Sequence, residues 1–180
     1  MRKLALTFTL FLGAILIACD SSEAQFAKMD GSPADISYFR EGRSEPPIMK
    51  VVYSRPQKKG RTMLGGKEPF GKVWRTGANE ATEIKFYRDV KMGDKTIKAG
   101  TYSLFTIPNK DKWTIIVSTQ LDTWGAYSYD QSQDVARYDV NVQSSDENIE
   151  AFSIGFKKVD GGAHMMMGWE NTIVEVPFSY

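Results

Sequence analysis

The sequence predicts an all-β domain, an antiparallel sandwich or barrel-like sheet of about eight to nine short strands. Three observations carry that expectation. Apolar residues recur at period two in short runs, and Gly, Pro, Asn or Asp punctuates the runs. No stretch sustains the spacing of an amphipathic helix.

The chain opens on a different kind of segment. Met1-Arg2-Lys3 is a short cationic head, and Leu4 to Ile17 is almost purely apolar. That run is too short for an ordinary membrane-spanning helix and matches a signal-peptide core. It ends in Leu16-Ile17-Ala18-Cys19, the pattern at which bacterial lipoproteins are cut before the cysteine and its sulfur is acylated. The expectation is a cleaved signal over residues 1–18, with Cys19 carrying diacylglyceryl and palmitate-type chains. Asp20-Ser21-Ser22-Glu23 follows at once, so no basic stop-transfer flank supports an uncleaved anchor. Residues 19–35 are polar and small and read as a flexible tether. Residues 36–180 then form one domain.

Strand-like text runs from Ile36. Ile48 to Tyr53 is a β-branched run behind Pro46-Pro47. In Ala81 to Arg88, Thr82, Ile84 and Phe86 face one way while Glu83, Lys85 and Tyr87 face the other. Val90 to Met92, Gly93-Asp94 and Thr96-Ile97 make a tight hairpin. Gly100 to Ile107 is a strand closed by Pro108-Asn109, and Trp113 to Ser118 returns at hairpin distance. Tyr138–Val142, Phe152–Phe156, His164–Trp169 and Thr172–Phe178 complete the set, with Thr123 to Asp134 a loop holding at most one helical turn.

Removal of the leader takes away Arg2 and Lys3 and leaves 21 basic against 22 acidic residues. A near-neutral chain gives no electrostatic case for nucleic acid. Cys19 is the only cysteine, so once it is acylated neither a disulfide nor a thiol site is available and the core alone holds the domain.

Two segments are too dense in polar and aromatic groups for plain strand or turn: Tyr53-Ser54-Arg55-Pro56-Gln57-Lys58-Lys59-Gly60-Arg61 and Trp74-Arg75-Thr76-Gly77-Ala78-Asn79-Glu80-Ala81-Thr82. With AGTYSLFTIP (99–108), WGAYSYD (124–130) and a closing WENT (169–172), they resemble the bacterial family called domain of unknown function 2911, from about residue 35 to the C-terminus. Met63-Leu64-Gly65 departs mildly from a bulkier Ile-Phe-Gly. The resemblance implies an exported, largely β domain, often in a lipoprotein, and implies no reaction.

The residues themselves suggest a binding site. Arg55, Arg61 and Arg75 each present a planar fork that can grip a carboxylate, phosphate or sulfate. Asn79 and Thr76 add neutral polar contacts. Tyr53, Trp74, Trp124, Tyr127 and Tyr129 offer flat apolar faces for a sugar or aromatic ring. The candidate ligand contacts are Arg55, Arg61, Trp74, Arg75, Asn79 and Trp124. The competing reading is structural: Arg75 and Glu80 satisfy each other and nearby carbonyls, Gly60 and Gly77 supply turns, and the aromatics fill the core.

Other signals are weaker. His164 is the only histidine, and no G-x-S-x-G elbow or H-E-x-x-H pattern is present, so it reads as a strand residue at the sheet surface. Met165-Met166-Met167 beside it suits copper(I) in type, but alternation puts His164 and Met166 on one face and Met165 and Met167 on the other. No metal and no cofactor are expected. Asp122, Asp130, Asp134, Glu80 and Glu170 can pair across a cleft as glycoside-cleaving carboxylates, which spacing alone cannot place.

The function expected from these residues is a lipid-anchored, non-catalytic binding module of a Gram-negative cell envelope, on the periplasmic face or outer surface. Its partners are the bilayer through acylated Cys19 and a small anionic or saccharide ligand or an envelope protein. The alternatives are a carboxylate-dependent envelope hydrolase and an assembly subunit that pairs through an open sheet edge.

Overall fold

The computed structural model describes residues 26–180. The signal sequence and acylation site expected over residues 1–19, and the Asp20-Ser21-Ser22-Glu23 stretch, lie outside the described residues.

Nine strands follow in order: β1 Ala34–Arg40, β2 Pro47–Ser54, β3 Ala78–Phe86, β4 Val90–Met92, β5 Lys95–Ile97, β6 Gly100–Ile107, β7 Lys112–Ser118, β8 Asp134–Val159 and β9 Gly162–Ser179. The only helical turn among the described residues is the 3₁₀ turn Gln131–Gln133, capped by the Asp130 side chain on the Ser132 N–H. All pairings are antiparallel and the hydrogen-bonded order is β1-β2-β3-β6-β7-β8-β9-β4-β5. The all-β, sandwich-like expectation holds.

Two strands are much longer than expected. The text predicts separate strands at 138–142 and 152–156, and again at 164–169 and 172–178. Each pair is one continuous element, of 26 residues in β8 and 18 in β9. The ladder between them runs from Val142↔Val174 to Val159↔Gly162 through two irregularities, so polar residues 144–149 interrupt the alternation without ending the pairing. β1 begins at Ala34, two residues before the predicted boundary.

β9 also doubles back near Glu170, which has φ 54°. His164 Nδ1 and Glu175 Oε2 meet at 2.7 Å across eleven residues of chain, and Gly162 lies against the Phe178 carbonyl. The β8–β9 ribbon is thereby folded in half. The first part of β8 joins β7, while its second part lies opposite β1 and β2: Phe39 meets Phe156 at 6.0 Å and Tyr53 meets Phe152 at 5.9 Å.

Between these layers the inward face of each strand is apolar. Thr82, Ile84 and Phe86 of β3 are buried, as the alternation predicts. So are Met165 and Met167, with His164 and Met166 half-exposed on the other face. Each large side chain buried in this way contributes about 1.5–3 kcal/mol. With no disulfide available, these contributions set the domain's stability.

A second, smaller apolar cluster sits on the outer face. Phe105 and Ile116, paired across β6 and β7, are 0% exposed. The segment 119–133 straps over them, with the Tyr129 ring 5.1 Å from that of Phe105. This strap shapes the candidate site.

Candidate functional site

The segment Trp74 to Thr82 is built as a strained loop. Thr76 and Asn79 have φ of 57° and 60°, the left-handed region that a β-branched residue such as Thr76 rarely adopts. The surroundings hold it there. The Thr82 hydroxyl donates to the Thr76 carbonyl at 2.7 Å, and the Thr76 hydroxyl lies 3.1 Å from that of Thr106. Trp74 Nε1 donates to the Gly77 carbonyl at 3.1 Å. A Cβ on Gly77 would come within 2.9 Å of the Ser54 carbonyl, so only glycine fits this crossing.

The strap docks on this loop through its backbone. Gly125 N–H donates to the Asn79 carbonyl at 3.1 Å, Ala81 N–H donates to the Thr123 carbonyl at 2.9 Å, and Glu80 bridges Trp124. The arriving chain meets the same place, because Asn79 Nδ2 donates to Asp30 Oδ1 at 3.2 Å. The Ser32 N–H first, and this Asn79 contact second, hold the Asp30 carboxyl below its ordinary range.

Two clefts flank the docked strap. The first, of about 160 Å³, is lined by Glu68, Val73, Trp74, Arg75, Ala126 and Tyr127. Arg75 makes only long contacts to protein, Nε to the Gly77 carbonyl at 3.4 Å and Nη1 to the Asn79 carbonyl at 3.5 Å, and Nη2 makes none among the described residues. Burial pushes the Glu68 carboxyl above its usual range, and the Arg75 charge offsets part of that. Tyr127 is 87% exposed and forms an open wall. The cleft can therefore present a cationic fork, one acidic group and an aromatic face.

The second cleft, of about 270 Å³, lies between the outer sheet face and the start of the strap. Val52, Ala81 and Leu121 give it an apolar floor and rim, and Glu80, Glu83 and Asp122 give it three carboxylates.

The sequence-predicted contacts are thus divided. Arg75, Asn79 and Trp124 come together, and Trp74 reaches the same loop from below. Trp74 itself is a core residue, 3% exposed, with its indole stacked 5.6 Å from that of Trp169. The expected Arg75–Glu80 pair does not form, and Arg75 uses carbonyls alone.

Arg55 and Arg61 are engaged elsewhere. Arg55 donates to Asp35 at 3.1 Å, the Phe152 carbonyl at 3.2 Å and Ser153 Oγ at 2.5 Å. Arg61 folds onto the carbonyls of Gln57 and Lys58. Their segment closes the sheet: Phe152 N–H donates to the Pro56 carbonyl and Lys58 N–H to the Glu150 carbonyl. Tyr53 belongs to this seam, its hydroxyl accepting from Ile154 N–H at 2.8 Å.

The carboxylates proposed for hydrolysis divide too. Glu170 accepts backbone N–H groups from Met63 and Leu64, Asp134 is bound by Tyr129 and Arg137, and Asp130 caps the 3₁₀ turn. Only Glu80 and Asp122 share a cleft. Among the described residues no group of three or more His, Cys, Asp or Glu is placed to hold a metal ion. Glu68 and Glu83 were not marked by the sequence. Each becomes a site residue only through a loop or strap that arrives from far along the chain.

The fold and clefts define a class: an antiparallel, sandwich-like β domain with a small polar and aromatic recess at one end. A family model described as a protein of unknown function, DUF2911, matches residues 39–178, and the chain belongs to that family. Comparison with curated proteins and with solved structures gave no match.

Proposed function

We propose that this is a lipid-anchored envelope protein whose domain binds a small anionic or saccharide ligand in the Arg75 cleft and carries out no chemistry on it. The observation that carries this reading is the Arg75 fork. It stands half-buried, with Nη2 making no hydrogen bond among the described residues, beside the exposed Tyr127 ring, in a recess with a single carboxylate. An arginine held by weak contacts retains donors for a planar anion. At about 160 Å³ the recess is smaller than the ~300–1,000 Å³ of common ligand sites, which suits one ring or one anionic group. The exported setting rests on the leader and Cys19.

The test is thermal stabilisation by a panel of uronates, sugar phosphates and neutral sugars. An anionic member should raise the melting temperature of the wild type and leave that of Arg75→Met unmoved, in a variant that still unfolds cooperatively from its own, lower unliganded melting temperature. Unfolding of Arg75→Met would support a structural role instead.

A second reading draws on the other cleft, which Glu80, Glu83 and Asp122 line, since glycoside hydrolysis needs two carboxyl groups flanking one recess. Release of reducing ends from an envelope polysaccharide, lost in Glu80→Gln, would favour it over binding alone.

A further inference from the structure

Three of the large apolar side chains left exposed lie on the strap, and two more precede Asp30, which is bonded to the loop on which the strap docks. Leu121, Trp124 and Tyr127 are 42%, 61% and 87% exposed, and Phe26 and Met29 just before the domain are 91% and 88% exposed. Exposed apolar residues scattered singly need no explanation, but a group of them marks an interaction surface. Two of the three on the strap are Trp and Tyr, whose apolar bodies and polar tips suit the level of lipid headgroups.

The arriving chain is tied to this same surface. Asn79 receives Gly125 of the strap on its carbonyl and donates its side chain to Asp30. Asp30 lies eleven residues past Cys19, a distance of at most about 40 Å fully extended. On the lipid-anchor reading given above, on which this inference rests, the aromatic end is therefore the end tethered to the bilayer.

We infer that Leu121, Trp124 and Tyr127 seat the domain on the lipid surface. The Arg75 cleft, walled by Tyr127, then opens at headgroup level and meets ligands presented by the membrane. The strap over residues 119–130 carries Asp122 and Asp130 and no Lys or Arg, with Glu80 and Glu83 beside it. Arg75 beside Tyr127 and Lys28 between Phe26 and Met29 offset these carboxylates, so the apolar and aromatic side chains, rather than net charge, hold the domain on the lipid.

The tryptophans supply the test. Trp74, Trp113 and Trp169 are at most 3% exposed, so a quencher carried on acyl chains reaches Trp124 alone. Full-length protein recovered from membranes is reconstituted into phosphatidylcholine vesicles with brominated acyl chains. The Trp124 share of the emission should be lost, and the loss should be absent in Trp124→Phe. Unquenched wild-type emission, or equal quenching in Trp124→Phe, overturns the docking. The mass of the N-terminal peptide from the same sample reads the acyl chains separately: a bare Cys19 sulfur removes the anchor reading, while the quenching still decides the docking.

Discussion

The indole of Trp74 lies face to face with that of Trp169, 5.6 Å between centroids and 11° from parallel. One ring comes from the loop that forms the Arg75 cleft and the other from the bend of β9, ninety-five residues later. Trp113 and Phe152 meet Trp74 edge-on at 6.0 and 4.9 Å. Trp74 is therefore the contact through which the cleft is fixed to the core. Trp74→Ala should cost about 3–5 kcal/mol by urea denaturation, the loss expected for a buried tryptophan. Because the loop would then lose its support, ligand-induced stabilisation should fall as well. A loss under 1 kcal/mol, roughly that of an exposed residue, would contradict the core assignment.

Glu170 gives a second prediction. Its two carboxylate oxygens accept from Met63 and Leu64 N–H, each at 3.0 Å, which ties the bend of β9 to the loop after Arg61. Glu170→Gln replaces one acceptor by an amide NH₂ that faces a backbone donor. The variant should lose about 1–3 kcal/mol, the cost of an unsatisfied buried donor. Amide exchange at Met63 and Leu64 should quicken before exchange in β6 or β7. If exchange at those two amides is unchanged, the tie is not formed in solution.

These two contacts show what the sequence could and could not reveal. The period-two runs from β2 to β7 were legible because each strand buries one face and shows the other, as in Thr82, Ile84 and Phe86 against Glu83, Lys85 and Tyr87. The length of β8 was not legible, because the polar residues 144–149 read as a gap although the ladder bridges them. Three of the six proposed contacts share one surface, since the Arg75 side chain and the Gly125 N–H next to Trp124 both reach the Asn79 carbonyl. Arg55 and Arg61 have the same composition as a binding motif, yet Arg55 is taken up by Asp35, Phe152 and Ser153 of distant segments and Arg61 by the carbonyls of Gln57 and Lys58 just before it. No local spacing distinguishes an arginine that closes a seam from one that waits for a ligand.

The Arg75 cleft has a pH signature through Glu68. Burial raises the folded-state carboxyl above the unfolded value of 4.5, with Arg75 opposing. Below the unfolded value the acid is neutral in both states and costs nothing. As pH rises through the folded value, the unfolded chain releases its proton more readily, so stability falls. Glu68→Gln should therefore match wild type at about pH 4 and exceed it at about pH 7, measured by denaturant midpoint. Arg75→Met removes the offsetting charge, so its stability should drop more steeply than wild type over the same range. A variant curve parallel to wild type would mean that Glu68 is solvated and does not share the cleft with Arg75.

The strap is held by a three-residue knot that predicts alkaline behaviour. The Tyr129 hydroxyl donates to Asp134 Oδ2 at 2.6 Å and accepts from Arg137 Nη2 at 2.5 Å, while Arg137 Nε donates to the same carboxylate oxygen at 2.7 Å. Burial first, and the Asp134 carboxylate second, push the phenol up to about 12, with Arg137 opposing. The raised value means that the bound proton stabilises the fold in full below the ordinary value of 10, and that this contribution is lost as pH rises towards about 12. Tyr129→Phe cannot ionise. It should lose about 1.5–3 kcal/mol at neutral pH, the worth of hydrogen bonds to charged partners, and lose less than wild type between about pH 9 and 11. Tyr180, also raised to about 12 by burial and by Glu41, remains in the variant and leaves part of the alkaline loss in place. With the knot gone the strap should loosen over Phe105 and Ile116, so amide exchange across 119–130 should quicken and Trp124 should become more open to acrylamide. An alkaline profile identical to wild type would show that the phenol does not hold the strap.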